Sequence, residues 1–247
     1  MHSNKNDRMH GIRKKDIIEA SKPQSSLIKI FHGKASKKIK VTRYAAGPIS
    51  TPYGKFMLCE FKLNDRWKDY EVLVAARRFS NDLMPIFEKG KTVYLKTDSG
   101  CRSGEIYLDN TCTCRQQLLE SMRIIGKHGS GLLITIPNQE GRGHGFAKKY
   151  ATLGLQEYFG YDTYEAAKAV NRKVDIRDYY GVVALLKFFG LESGSNITVI
   201  ANNSSKLKEL EENGYKPKLK PLEIKADRHT IKHLKAKKEH LHEIIKV

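Results

Sequence analysis

The chain has 247 residues, 40% of them hydrophobic and 29% charged, enough for one large domain or two modest ones with a real core. Forty-five Lys and Arg against 27 Asp and Glu give a net charge of +18, which points to a polyanionic partner: nucleic acid, an acidic membrane face or a phosphorylated small molecule. With no run of about 18 apolar residues, no membrane-spanning helix is expected, and four cysteines are too few for a disulfide framework.

The first residues, MHSNKNDRMHGIRKKD, lack the apolar stretch of a signal peptide, so a cytoplasmic, reducing setting is expected. Residues 1–44 carry a net +9 and residues 216–247 a net +6, leaving only +3 on the 171 between them. The middle therefore has to be read on its own chemistry.

In chain order, residues 1–39 are polar and basic and read as a mostly flexible arm, with room for one ordered segment at Leu27–Phe31. From 40 to 97 the pattern is β, with two runs around the Pro/Gly-punctuated stretch before Phe56, then Glu71–Val74 and Thr92–Leu95. Past Cys114 the period changes. Leu118, Met122 and Ile125 fall at helical spacing, and Leu132–Ile136 reads as a short buried strand. Helices are predicted at 145–159, 162–170, Val182–Phe189 and Ser204–Glu212, with a buried strand at Ile197–Ile200. A terminal helix over His229–Ile245 places Ile231, Leu234, Leu241 and Ile245 roughly on one face. The fold class is α+β, a mixed sheet with helices packed on it and a β-rich first half. The domains expected are the basic arm at 1–39 and one catalytic domain at 40–247 that ends in a basic helix.

Cys101, Cys112 and Cys114, spaced C-x10-C-x-C, are the sharpest local signal. Three thiolates plus an open position suit a catalytic zinc, which would lower the pKa of a water to about 7; three merely buried thiols are the alternative. Cys59 reads as an inert strand cysteine. Gln139-Glu140-Gly141-Arg142-Gly143-His144-Gly145 lies between a strand and a helix, where backbone N–H groups and an Arg fork can meet phosphate. It fits neither the P-loop nor the dinucleotide pattern. Asp175-Ile176-Arg177-Asp178 is either an acid–base cluster or a solvated salt bridge. Asn203 reads as a helix N-cap with Lys206 within reach of an anion. His229, His233, His240 and His242 read as a solvated basic helix face rather than a metal site.

Together and in order, these segments resemble the GTP cyclohydrolase II family. The carriers are the cysteine triad, QEGRGHG, GYDTYEA at 160–166, VDIRDY and the NN..K segment at 202–206. STPYGKF at 50–56 resembles an early strand–turn motif of the family, and KAKKEHLHEI its C-terminal helix. The resemblance implies zinc on Cys101, Cys112 and Cys114, and GTP binding by Lys96, Gln117, Glu140, Gly141, Arg142, Thr163 and Lys206. It implies Asp175 as proton acceptor and Arg177 at the α-phosphate, where pyrophosphate is lost with Mg2+ present. It also implies a homodimer.

The departures are specific. The family usually carries an Arg, then a His, then a Glu before the first zinc cysteine. Here Lys96, Asp98 and Gly100 stand there, and a Lys does not reproduce bidentate Arg contacts. Leu153 replaces a catalytic Tyr and Ala201 a nucleotide-contacting Thr. Loss of the phenol suggests a relative that opens the ring but stops at the formamidopyrimidine nucleotide, or one that takes another nucleotide. A relative without turnover that binds nucleotide or RNA is the reading from a different class, with the basic arm as the nucleic-acid contact. Retention of all three cysteines with Asp175 and Arg177 favours catalysis.

Overall fold

Period-two alternation builds the first half of the sheet as an antiparallel meander. The computed structural model describes residues 12–33, 35–64, 69–225, 230–241 and 244. After α1 (Lys14–Ala20) the strands β1 (Gln24–His32), β2 (Ala35–Thr51), β3 (Gly54–Leu63) and β4 (Asp69–Ala75) pair antiparallel in chain order. On β3 the residues Met57, Cys59, Phe61 and Leu63 are buried on one face, while Phe56 joins the core on the other. Phe61 meets the rings of Phe188 and Phe189 edge-on at 5.2 and 5.4 Å.

The basic first segment is more ordered than expected, and the ordered segment anticipated at Leu27–Phe31 lies within β1. Residues 14–20 are helical, and residues 24–32 form the outermost strand of the same sheet. Ile30 and Ala20 are fully buried, and Asp16 is buried against the Arg13 guanidinium. An edge strand covered on one face needs few apolar residues, so its composition resembles that of an arm. Residues 1–11 lie outside the described residues.

The second half is β/α in texture: β5 (Val93–Asp98), α2 (Arg102–Glu105), α3 (Cys114–His128), β6 (Gly131–Thr135), α4 (Gly145–Phe159), α5 (Thr163–Val170), α6 (Tyr180–Phe188), β7 (Ile197–Ile200), α7 (Lys208–Glu212), β8 (Lys218–Lys220) and α8 (Ile231–Leu241). The strand order is β1-β2-β3-β4-β6-β5-β7-β8. β6 is antiparallel to β4 and parallel to β5, with β7 and β8 parallel on the far side. This is the mixed sheet that the sequence predicted.

From β5 the chain crosses to β6 through α3, whose Ile125 packs on one face of the sheet with Phe56 and Leu133. From β6 it returns to β7 on the other side of β5, through α6, whose Val182–Leu186 are fully buried on the opposite face. The chain thus places β6 on one side of β5 and β7 on the other, and such a switch point opens a crevice at the carboxyl ends of the strands.

The helix expected over Ser204–Glu212 is a 3-10 turn, Ser204–Lys206, followed by the short α7. In α8, Leu234 is buried but Ile231 is 39% exposed, so the expected apolar face is narrower. His229, His242, Ile245 and the side chains of His233 and Leu241 lie outside the described residues. Among the described residues, no helix is long and apolar enough to cross a membrane.

Candidate metal centre and nucleotide crevice

The residues after β5, β6 and β7 line the crevice. β5 ends in Lys96, Thr97 and Asp98, all buried, and leads directly to Cys101. Gly100 holds φ +59°, which favours glycine, and its N–H donates to the Asp98 carboxylate at 2.8 Å. Two of the departures from the family pattern therefore make a tight turn together, and that turn delivers Cys101 to the site.

Cys101, Cys112 and Cys114 converge, with all three Sγ atoms within 4.8 Å of one another. Cys101 Sγ and Cys112 Sγ lie 3.8 Å apart. A tetrahedral zinc with Zn–S bonds of about 2.3 Å spaces its sulfurs by about 3.8 Å, so this pair fits the ion without moving. Gly104 makes room for the cluster: a Cβ there would sit 2.8 Å from Cys112 Sγ and 3.3 Å from Cys101 Sγ. Hydrogen bonds from the Cys112 and Cys114 thiols, with help from the Lys149 ammonium, hold Cys101 far below the usual thiol range. The same sharing pushes Cys112 up to about 11, and Cys114 is raised well above its usual value. Sharing of protons within the cluster favours the thiolate at Cys101, and metal binding would displace the protons from the other two thiols. Cys59 is buried elsewhere and its thiol is pushed up to about 12, chiefly by desolvation, so it is inert as expected.

Lys149 was not singled out by its sequence. Its ammonium donates to Cys101 Sγ at 2.9 Å and pairs with the Glu140 carboxylate. Burial alone would lower its pKa, but the thiolate and the carboxylate raise it. Glu140 is buried and also accepts the Arg102 N–H at 2.8 Å. Glu140 borders the crevice, but both of its oxygens hold the cysteine segment in place. Nothing in the pattern of α4 distinguishes Lys149 from its neighbour Lys148, so only the fold marks it out.

Gly141 and Arg142 both adopt φ of +58°, which turns the chain sharply after β6. The Arg142 guanidinium donates to the carbonyl and hydroxyl oxygens of Thr163 at 3.1 and 3.2 Å. Thr163 is set by the cap of α5, where Asp162 accepts the N–H groups of Tyr164 and Glu165 and Glu165 reaches back to Asp162. GYDTYEA is thus a helix break and capping box that fixes an arginine.

VDIRDY is tied to the Gly-rich turn by the Ile176 N–H, which donates to Arg142 O at 3.1 Å. Gln139 Nε2 donates in turn to Asp178 O at 3.1 Å. Arg177 donates through Nε to Asp175 Oδ1 at 2.9 Å and pairs with it through a second nitrogen. Burial raises the Asp175 pKa, but the Arg177 bonds outweigh it and the carboxylate sits below its usual range. Lys96 Nζ and Lys206 Nζ both donate to the Thr97 carbonyl, at 3.0 and 3.2 Å.

The crevice has two lobes. Glu140, Gly141, Arg142, Thr163 and Leu153 line the larger one; Lys96, Gln117, Ala201 and Lys206 line the smaller. Cys101, Cys114 and Arg177 border both. Asp175 is held behind Arg177. The residues nominated from sequence are therefore gathered around one opening.

Three converging cysteines beside a cation-lined crevice, at a switch point of a mixed sheet, define an α+β protein with a candidate metal centre. The chain belongs to the GTP cyclohydrolase II family, whose model matches residues 42–217. It is 37% identical over 174 residues to the GTP cyclohydrolase-2 of Picrophilus torridus, covering 70% of this chain and 82% of that protein. It is 31% identical over 205 residues to the riboflavin biosynthesis protein RibBA of Staphylococcus saprophyticus, and 33% over 199 residues to RibBA of Endomicrobium trichonymphae. Those two alignments cover 83% and 80% of this chain but only 45% and 46% of the RibBA proteins.

Proposed function

We propose that this chain opens the imidazole ring of GTP by hydrolysis, with loss of pyrophosphate, at a zinc held by Cys101, Cys112 and Cys114. The observation that carries the reading is the convergence of the three cysteines at the junction of two lobes that together present Arg142, Arg177, Lys96 and Lys206. When bound, zinc would supply Lewis acidity at neutral pH.

The chain's own residues do the rest. Lys149 offsets thiolate charge and, through Glu140, fixes the loop that carries Cys101. Arg142, locked by Thr163, and Arg177, locked by Asp175, offer preset donors to a nucleotide, so little reorganisation accompanies binding. Lys96 and Lys206 add point charges suited to phosphate oxygens, where Mg2+ would share the charge during pyrophosphate loss. Asp175 stays ionised, as a proton acceptor must, because the Arg177 guanidinium holds its carboxyl below the usual range. Water addition at C8 opens the ring to a formamide, and a second hydrolysis releases formate. The active species is a homodimer in a cytoplasmic riboflavin pathway.

Leu153 favours a second outcome. It lines the larger lobe where the resemblance places a catalytic phenol, so an alkyl side chain stands in place of that donor. General acid–base groups contribute about 100- to 10,000-fold, enough to leave the formamide as the released product. Mass analysis of zinc-loaded protein with GTP tests both readings. A ring-opened nucleotide is expected, with free formate marking the complete reaction and its absence the shortened one. Unchanged turnover in Cys112→Ser would overturn the metal assignment, and recovery of intact GTP from the wild-type chain would overturn the function.

A further inference from the structure

α8 lies beyond residues 42–217, the stretch matched by the family, yet it completes the crevice. Its Lys237 borders both lobes, as Arg177, Cys101 and Cys114 do. The helix is anchored on both sides of the opening. Leu234 and Ala236 are buried, and the His240 ring stacks on Tyr164 at 4.6 Å, with its Nε2 3.7 Å from the Asp162 carboxylate. Past the helix, the Ile244 N–H donates to the Asn202 carbonyl at 2.8 Å. Tyr164 follows Thr163, which holds Arg142, and Asn202 leads to Lys206. One end of the strap therefore rests on the wall of the larger lobe and the other on the wall of the smaller.

We propose that α8 is a wall of the nucleotide site and that Lys237 binds the substrate's phosphates beside Arg177. The inference rests on the nucleotide reading above. A triphosphate bound near the cysteine centre has to pass the junction of the lobes, where Arg177 and Lys237 are the bordering cations. The strap fixes the helix backbone around Lys237, so the ammonium is delivered without ordering a free segment at each binding event. The C-terminal segment thereby sets affinity and specificity for phosphate number.

Equilibrium binding of GTP and of guanosine to the zinc-loaded full-length chain tests this. Lys237→Gln is expected to weaken GTP binding about ten- to hundredfold, the loss of one charge-assisted contact, and to leave guanosine within twofold. Lys237→Arg is expected to restore most of the GTP affinity, and the kinetic loss in Lys237→Gln to appear in KM more than in kcat. GTP binding unchanged in Lys237→Gln, while the wild type binds, overturns this inference alone. Equal losses for GTP and guanosine overturn the phosphate contact. A wild-type chain that does not bind GTP overturns the nucleotide reading and this inference with it.

Discussion

Replacing Gly104 with Ala sets a methyl group against the cysteine cluster. The added Cβ would lie 2.8 Å from Cys112 Sγ, 3.3 Å from Cys101 Sγ and 3.5 Å from the Cys114 Cβ. The first distance is closer than Cβ atoms tolerate, so something must move. In the metal-free protein the Cys112 side chain can rotate away, and Ala in a helical position adds up to about 1 kcal/mol of helix propensity over Gly. With an ion holding all three sulfurs, rotation is blocked and the overlap becomes overpacking, worth about 1–3 kcal/mol. The propensity gain applies in both states, whereas the overlap counts only with the ion bound. Metal-free Gly104→Ala should therefore melt within a few degrees of wild type, while its zinc affinity in chelator competition falls about five- to 150-fold. Zinc binding as tight as wild type would refute the assignment of α2 as the spacer of the centre.

Lys149→Met strands the buried Glu140 carboxylate, and breaking a buried pair from one side costs about 3–5 kcal/mol. Tm should drop accordingly, zinc affinity should weaken, and the added change Glu140→Gln should recover part of the Tm loss. Asp175 has a folded pKa below its unfolded one, so its pairing with Arg177 stabilises the fold fully above the usual carboxylate range. That contribution is lost as pH falls through the folded value. Urea titrations of Asp175→Asn should thus show less stability than wild type at neutral pH and a gap that closes toward acid pH. Leu153→Tyr returns a phenol to the larger lobe. Its formate yield per GTP consumed should exceed that of the wild type, and an equal yield would remove Leu153 from the account.

Much of the architecture could be read from residue periodicity, because β7 and α4 are framed by strong signals. Ile197, Val199 and Ile200 are buried in one short β-branched run, and α4 opens after the glycines at 141–145 and closes at Gly160, which sits at φ +73°. β1 was obscure for a physical reason. It is the sheet's edge, only Ile30 of its nine residues is fully buried, and Leu27 and Phe31 are exposed among polar and basic neighbours, so the strand gives no clear period. β8, with three residues, gives no period at all. Of the site, the cysteines were legible because thiols at that spacing have few other uses in a reducing setting. Lys149 and Lys237 were not, since a lysine on a helix looks the same whether it faces water or a thiolate. Only tertiary placement separates them. Glu140, nominated as a substrate contact, borders the larger lobe, and its two oxygens also bond the Arg102 N–H and Lys149, a structural tie that its motif did not show.

The large positive charge takes a different meaning once the cations are sorted by place. Lys37, Lys38 and Lys40 are exposed on β2 near the sheet edge, spread along a strand and open to salt screening. Lys96, Arg142, Lys149, Arg177 and Lys206 come from the middle of the chain, whose net charge is only +3. Each has a defined partner: the Thr97 carbonyl for the two lysines that flank it, Thr163 for Arg142, Asp175 for Arg177, Cys101 and Glu140 for Lys149. Preset donors lining a crevice act more strongly on phosphate than the same charges spread over a wet surface. On the proposed function, triphosphate recognition would depend on where Lys96, Arg142, Arg177 and Lys206 are held, and the excess at the chain ends could be reduced without touching them. Lys237 is the exception, a member of the basic tail that α8 carries into the crevice. Charge reversal at Lys37 and Lys38 should accordingly leave the KM for GTP unchanged at moderate salt, whereas a single neutral residue at 237 should raise it.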